Sequence, residues 1–307
     1  MTRNAQRAYE KQKEGYMNKI RKAVIPAAGF GTRFLPATKA IPKEMLPIVD
    51  TPTLQYVVEE AVKSGIKEIL IIIGKNKKCI EDHFDKAVEL EQILEREHKD
   101  VYLKIVRDIT DMAHIHYVRQ KEMNGSGSAV LEAEAFISGE PFAVMYGDDI
   151  VYNPEKPCLK QLIDAYETTG KSVIACQEVP ESETSKYGIV RPGHTKGRYS
   201  EVLELVEKPK PGTAPSRLAN IGRYVLTPDI FDLIRKCKPA ANGEIYLTDA
   251  IEMMAKSTGV YAYTLEGRRY DVGDKLGFIT ATIEYALRDK TLKDGLADYI
   301  KNLAKDL

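Results

Sequence analysis

The segment of this chain richest in potential chemistry follows its first apolar run. Residues Ala27, Ala28, Gly29, Phe30, Gly31, Thr32 and Arg33 make a small-residue turn. Such a turn lets backbone N–H groups approach an anion closely, because little side chain stands in the way, and phosphate is the natural ligand. A dinucleotide fingerprint needs glycine where Phe34 stands, and a P-loop needs Gly-Lys-Ser/Thr where Phe34, Leu35 and Pro36 stand, so both common nucleotide motifs are missing. Behind the turn, Arg33, Lys39 and Lys43 place cations on a stretch that Pro36, Pro42 and Pro47 keep out of regular helix. The pattern predicts a stiff, extended loop able to grip a polyphosphate; the plain alternative is a solvated basic loop.

Other candidates lie far along the chain. Asp148 and Asp271 each close an apolar, strand-like run (AVMYGDD and GRRYDVGD). Hard oxygen ligands at strand ends suit Mg²⁺, which keeps several of its waters, whereas a helix-capping aspartate is the bland reading. Of the adjacent pair Asp148 and Asp149, the period-two alternation of a strand lets only one face a site, and Asp148 is assigned to it. Glu207, Lys208 and Pro209 end another strand, where a carboxylate can accept paired sugar hydroxyls or merely form a surface charge pair. Gln120 ends a strand too, where its amide, with both a donor and an acceptor, can pair with the polar edge of a ligand or simply face solvent. His114 and His116 share a strand face, yet no Cys, Asp or Glu stands at ligand spacing nearby, so they do not make a metal pair. Arg268 and Arg269 read as a solvated pair rather than an anion patch.

These residues need a scaffold, and from Lys22 onward the sequence supplies one by alternating short β-branched runs with helical patterns. Strands are predicted at 23–27, 68–73, 114–119, 142–146, 172–179, 202–207, 221–226 and 259–265. A helix over 52–64, capped by Thr51 and with Pro52 in its first position, carries Leu54, Val57, Val58, Ala61 and Val62 on one stripe. The run EILIII at 68–73 is too apolar to expose either face, and a single helix over 76–98 follows it, burying Ile80, Phe84, Ala87 and Ile93 or Leu94. Helices over 275–289 and 292–303 close the chain. The expectation is an α/β fold, three-layered and Rossmann-like, around a mixed, mostly parallel sheet. No linker or repeat divides it, so a charged N-terminal segment (1–20), one catalytic domain (21–290) and a C-terminal helix (291–307) are expected.

Composition removes several classes of function. The chain has 307 residues, with 45 Lys plus Arg against 45 Asp plus Glu, whereas a nucleic-acid-binding protein usually carries a basic excess. No run approaches the length of a membrane span, and the first twenty residues mix charges of both signs, so a cytoplasmic protein without membrane or nucleic-acid partners is expected. The four cysteines lack a CxxC pair and read as reduced, mostly buried thiols.

Taken in order, the pattern GxGTRxxPxTxxxPKExxP after the first strand resembles the nucleotide-sugar pyrophosphorylases, a nucleotidyltransferase family, and PATKAIPKEMLPI is similar to its bacterial uridylyltransferase branch. Matching segments recur at 118–120, 146–149, 187–190, 206–209, 222–225 and 271–277, so the resemblance spans residues 22–288. It implies uridylyl transfer from UTP to glucose 1-phosphate, giving UDP-glucose and pyrophosphate, with Mg²⁺ as cofactor and a homo-oligomer, dimer or tetramer, as the assembly. Position by position, it implies that Ala27, Ala28 and Gly29 hold the nucleoside, and that Arg33 and Lys43 grip the triphosphate. Glu44, Gln120 and Gly125 are placed around the uracil, and Asp148 and Asp271 on the metal. Gly188, Glu207 and Gly222 frame the glucose, and Lys208 meets the sugar phosphate; Arg33, Lys43, Asp148 and Lys208 form the catalytic set. Two departures from the family pattern stand out: Gly125-Ser126-Gly127-Ser128-Ala129 has serine at 128 where relatives carry histidine, and Gly147 precedes the aspartates where relatives carry proline. A transferase using dTTP or another sugar phosphate stays open, because uracil and thymine share an imide edge, and so does a non-catalytic nucleotide-sugar sensor.

Overall fold

The computed structural model describes residues 19–305. The charged segment expected over 1–20 therefore lies outside the described residues, apart from Lys19 and Ile20. Strand β1 (Lys22–Ala27) leads into three single-turn 3-10 helices, Thr32–Phe34, Ala37–Lys39 and Lys43–Met45. The proline-rich loop is thus not extended: Pro36 and Pro42 each stand immediately before a tight turn, which their fixed φ accommodates. A short antiparallel pair, β2 (Pro47–Ile48) and β3 (Thr51–Pro52), precedes α1 (Thr53–Lys63). Thr51 and Pro52 are consumed by that pair instead of starting the helix, and Thr53 Oγ1 donates to the Leu46 carbonyl at 2.9 Å.

Next come β4 (Glu68–Ile73), α2 (Lys78–Phe84), α3 (Val88–Arg96), α4 (Asp100–Thr110) and β5 (His114–Arg119). The single helix expected over 76–98 is two helices, because Asp85 adopts an extended backbone after α2, and α4 was not foreseen. Of the residues predicted to be buried there, Ile80, Phe84 and Leu94 are, while Ala87, at the break between the two helices, is only half-buried and Ile93 is exposed. The chain continues through α5 (Ser126–Leu131), α6 (Glu134–Ile137), β6 (Phe142–Met145), β7 (Asp149–Tyr152), α7 (Cys158–Thr169) and β8 (Ser172–Glu178). It ends with β9 (Gly188–Lys196), β10 (Tyr199–Glu207), β11 (Leu218–Leu226), α8 (Ile230–Lys236), α9 (Leu247–Ser257), β12 (Val260–Thr264), β13 (Arg268–Asp271), α10 (Lys275–Ala286) and α11 (Lys293–Leu303).

Nine strands form one mixed sheet in the order β5-β4-β1-β6-β11-β8-β12-β10-β9, and β7 pairs with β13 as a separate antiparallel ribbon. Parallel pairing joins β5, β4, β1 and β6, and again β8 and β12; the pairs made by β9, β10 and β11 are antiparallel. Alternation sends Ile69 and Ile71 to one face, against α1 and α7, and Leu70 and Ile72 to the other, against α5 and α9. Helices on both faces explain why this run is apolar throughout. A smaller cluster of Ile48, Ile150, Tyr270 and Val272 fastens the β7–β13 ribbon to α10. Among the described residues all four cysteines are free thiols, and no helix is long and apolar enough to cross a membrane.

Candidate active site

Strands β1, β4 and β5 run parallel, so their C-terminal ends open onto one edge of the sheet. Such an edge is where α/β folds place ligands. A cavity of about 660 Å³ lies there, lined in part by Ala28, Gly29, Pro42, Lys77 and Gln120. Gly29 faces open space, and Gly74 lets the end of β4 come close, since a Cβ on it would stand 2.7 Å from the Ala28 carbonyl oxygen. Ala27 is buried beneath the turn. Gln120 is buried, its backbone N–H donates to the Ile73 carbonyl at 3.0 Å, and its Nε2 has no partner. Glu44 is also buried, below the cavity, where Lys77 Nζ donates to its Oε2 at 2.7 Å. Burial lowers the Lys77 pKa, more than the Glu44 charge restores it. Gly125 belongs to a backbone crossing: at φ +108°, a Cβ on it would meet the Ile245 carbonyl oxygen at 2.4 Å. It does not line this cavity.

The 3-10 turn after Pro42 carries Lys43 toward the other half of the cleft, where its Nζ donates to Asp148 Oδ2 at 2.5 Å. Gly31, at φ +65°, permits this approach, because a Cβ there would stand 3.0 Å from Lys43 Cβ. Burial works against the charge on Lys43, but Asp148 and Glu44 outweigh it and raise the pKa. Burial likewise opposes ionisation of Asp148, and the ammonium of Lys43 overrides it, holding the carboxyl below its ordinary range. Arg33 reaches across from its own turn, with Nη1 3.4 Å from the Gly273 carbonyl oxygen.

A second cavity of about 290 Å³ brings together Arg33, Asp148, Gly188, Glu207, Lys208, Gly222 and Asp271. Glu207 ends β10 opposite Gly188 at the start of β9. Gly222 is a spatial requirement, since a Cβ there would lie 2.6 Å from Tyr146 Cβ, and at Gly188 a Cβ would crowd Glu207 Oε2 at 3.1 Å. Lys208 sits at φ +43°, a backbone region costly for a side-chain-bearing residue and one that clusters at functional sites. Its Nζ is 3.4 Å from Glu207 Oε1. Asn220 Oδ1 and Thr248 Oγ1, both on residues lining this cavity, are buried without partners. Neither carries a motif-level signal, and sequence reasoning missed both.

The two adjacent aspartates divide their tasks. Asp149 is paired with Arg269 at 2.6 Å and accepts the Gly222 N–H at 3.1 Å, which leaves Asp148 as the one turned to Lys43. Arg269 is no solvated side chain: it is buried, lies 4.7 Å from the Tyr187 ring centre and approaches Asp271 Oδ2 at 3.7 Å. Only Arg268 is exposed, and it pairs with Glu284 at 2.9 Å. Asp271 accepts from the Tyr187 hydroxyl at 3.1 Å, and burial together with the Asp149 charge raises its pKa. A Cβ at Gly273 would stand 2.8 Å from Asp148 Oδ2 and 3.3 Å from Asp271 Oδ1, so these two carboxylates flank one small space. Two carboxylate oxygens with room for water make a donor set that fits a small hard cation. Among the described residues no cluster of three or more His, Cys, Asp or Glu side chains forms a metal cage, and His114 and His116 are exposed.

A family model described as nucleotidyl transferase matches residues 22–287. The chain belongs to this family. UTP–glucose-1-phosphate uridylyltransferase 2 of Staphylococcus saprophyticus is 59% identical to this nucleotidyl transferase over 287 residues, 94% of the chain and 99% of that protein. The crystal structure of a UDP-glucose pyrophosphorylase complexed with UDP-glucose matches with a TM-score of 0.81 at 45% identity, over 88% of this chain and 100% of that one. The UTP-bound UGPase of Acinetobacter baumannii matches with a TM-score of 0.85 at 38% identity, over 92% of this chain and 99% of that one.

Proposed function

We propose that this nucleotidyl transferase moves the uridylyl group of UTP onto glucose 1-phosphate, releasing pyrophosphate and UDP-glucose. The observation that carries the reading is the 2.5 Å contact of Lys43 with Asp148, which joins the loop edging the first cavity, at the glycine turn, to the second cavity, where Asp148 and Asp271 stand with Glu207 and Lys208. In the reaction a phosphate oxygen of the sugar phosphate bonds to the α-phosphorus of UTP. The bond from that phosphorus to the bridging oxygen breaks, and its electron pair leaves on pyrophosphate. No side-chain nucleophile is needed, so catalysis rests on positioning and charge neutralisation.

Two polyanions repel one another, and the cleft supplies cations on both sides. Arg33 and Lys43 hold the triphosphate, and Lys208 meets the sugar phosphate. The unpartnered amide of Gln120 pairs with the uracil imide, over a floor stiffened by the Glu44–Lys77 pair. Ala28 and Gly29 pack the nucleoside, with Ala27 and Gly125 shaping the backbone around it. Glu207 accepts from glucose hydroxyls between Gly188 and Gly222. Asp148 and Asp271 are the residues to hold Mg²⁺, which when bound neutralises phosphate oxygens as charge develops on them. Residues 21–290 form the catalytic unit of a cytoplasmic homo-oligomer, a reading that the extent of the family match supports for the domain boundaries.

The test is pyrophosphate release from UTP and glucose 1-phosphate with Mg²⁺, run beside dTTP and other sugar phosphates. UTP with glucose 1-phosphate is expected to give the fastest turnover and UDP-glucose as product. Binding of UTP with no pyrophosphate from any pair would leave a nucleotide-sugar sensor instead.

A further inference from the structure

Beneath the cleft lies a guanidinium that reaches no ligand cavity on the catalytic side. Arg223, on β11, is fully buried, yet each of its five N–H groups has an acceptor. Nε and Nη2 form a fork onto the Glu60 carboxylate of α1, at 3.2 Å and 2.9 Å, across 163 positions of sequence. Nη1 donates to the carbonyls of Tyr146 at 3.0 Å and Gly222 at 3.2 Å, and Nη2 donates to that of Asp149 at 2.6 Å. Tyr146 and Asp149 bracket the dipeptide Gly147-Asp148. One planar cation thus ties both ends of the turn that presents Asp148, and the strand that presents Gly222, to a single point.

We propose that Arg223 is a positioning residue that clamps the 146–149 turn so that Asp148 projects into the cleft, with Glu60 fixing the plane of the clamp. The proposal rests on the reading that Asp148 holds the metal. A buried ion pair gains little stability over well-packed apolar residues, whereas it fixes direction strongly, so a geometric task accounts for a charge in this place. Glu60 is itself held, since its Oε1 accepts the Leu159 N–H at 2.9 Å near the start of α7. From the other side, Asp149 is pinned by Arg269 and by the Gly222 N–H, which removes the second carboxylate from competition. Lysine cannot replace this clamp, because an ammonium has three donors on one atom and no fork to span a carboxylate and three carbonyls.

The decisive variant is Arg223→Lys, read first without turnover. Mn²⁺ binding followed by paramagnetic resonance is expected to weaken about tenfold, as for other groups that orient a metal's ligands. Amide exchange at 146–149 is expected to rise while β1 and β4 stay protected. UTP binding without metal depends on the glycine turn and Gln120, and stays within about twofold, while turnover falls about tenfold or more. A folded Arg223→Lys protein with wild-type Mn²⁺ affinity and unchanged exchange at 146–149 overturns the clamp. Should that variant not fold, Glu60→Gln decides the matter. It leaves the three carbonyl bonds in place and is expected to weaken Mn²⁺ in the same direction; wild-type affinity and exchange there refute the proposal. Asp148→Asn run in parallel separates the two readings. If it binds Mn²⁺ normally, the metal assignment fails, and exchange at 146–149 still judges the clamp.

Discussion

On the nucleotide side of the cleft, Ala28 and Gly29 follow the C-terminal end of β1 and Gln120 that of β5, two strands parallel to the β4 between them, and Lys43 lies further along the loop after β1. On the sugar side, Gly188, Glu207 and Gly222 come from antiparallel strands, and Asp271 from a separate ribbon. The first half is assembled by connections that return to one edge, so most of its residues lie on one stretch of chain and Gln120 joins them from the end of a parallel strand. The second half is assembled by pairing across long distances, and its rigidity comes from buried charges such as Arg269 on Asp149, 120 positions apart. A parallel edge provides a ready-made opening, whereas an antiparallel one has to be braced from behind.

The largest effect is expected where the halves meet. Asp148→Asn and Lys43→Ala should each lower turnover by at least about 10²-fold, because each removes charge stabilisation aimed at the reacting phosphates. Steady-state rates beside melting curves check this, and near-normal turnover in either variant breaks the junction. Lys208→Ala should act on the sugar side alone. Loss of a charge-assisted contact predicts a rise of about tenfold to a hundredfold in KM for glucose 1-phosphate, with UTP affinity unchanged. Equal losses for both substrates would erase the division between the halves. Gly222→Ala places a methyl 2.6 Å from Tyr146 Cβ and 2.9 Å from Asp149 Oδ2, and should cost about 1–3 kcal/mol in denaturant unfolding. The smallest effect belongs to Gln120→Ala, with about 1 kcal/mol of UTP affinity lost in a calorimetric titration and little stability lost, since Nε2 bonds nothing in the protein.

The same division explains what the sequence disclosed. The glycine turn, the basic stretch after it and the strand-terminal Gln120 are local patterns, and all lie at one edge of the sheet. Apolar runs mark β1, β4 and β6, strands covered on both faces, and the edge strand β5 is marked only by its β-branched and aromatic alternation. What was illegible depended on partners distant in sequence. Arg269 looked solvated beside Arg268, because nothing local reveals that Asp149 and the Tyr187 ring enclose it. Arg223 falls in a segment that matches the family pattern, yet nothing local shows that it is buried and paired, since Glu60 stands on another element. Helix limits failed where a neighbour claimed the residues, as when Thr51 and Pro52 joined the β2–β3 pair. Glu44 is placed around the uracil by the family pattern, and nothing local shows that Lys77 holds its carboxylate beneath the cavity.

The most direct measurement is a crystal structure of the protein with UDP-glucose and Mn²⁺, using the anomalous signal of the metal. The account predicts uracil against Gln120, glucose between Glu207 and Gly222, and one anomalous peak shared by Asp148 and Asp271. A nucleotide sugar bound away from the glycine turn, or a peak touching neither carboxylate, would contradict it.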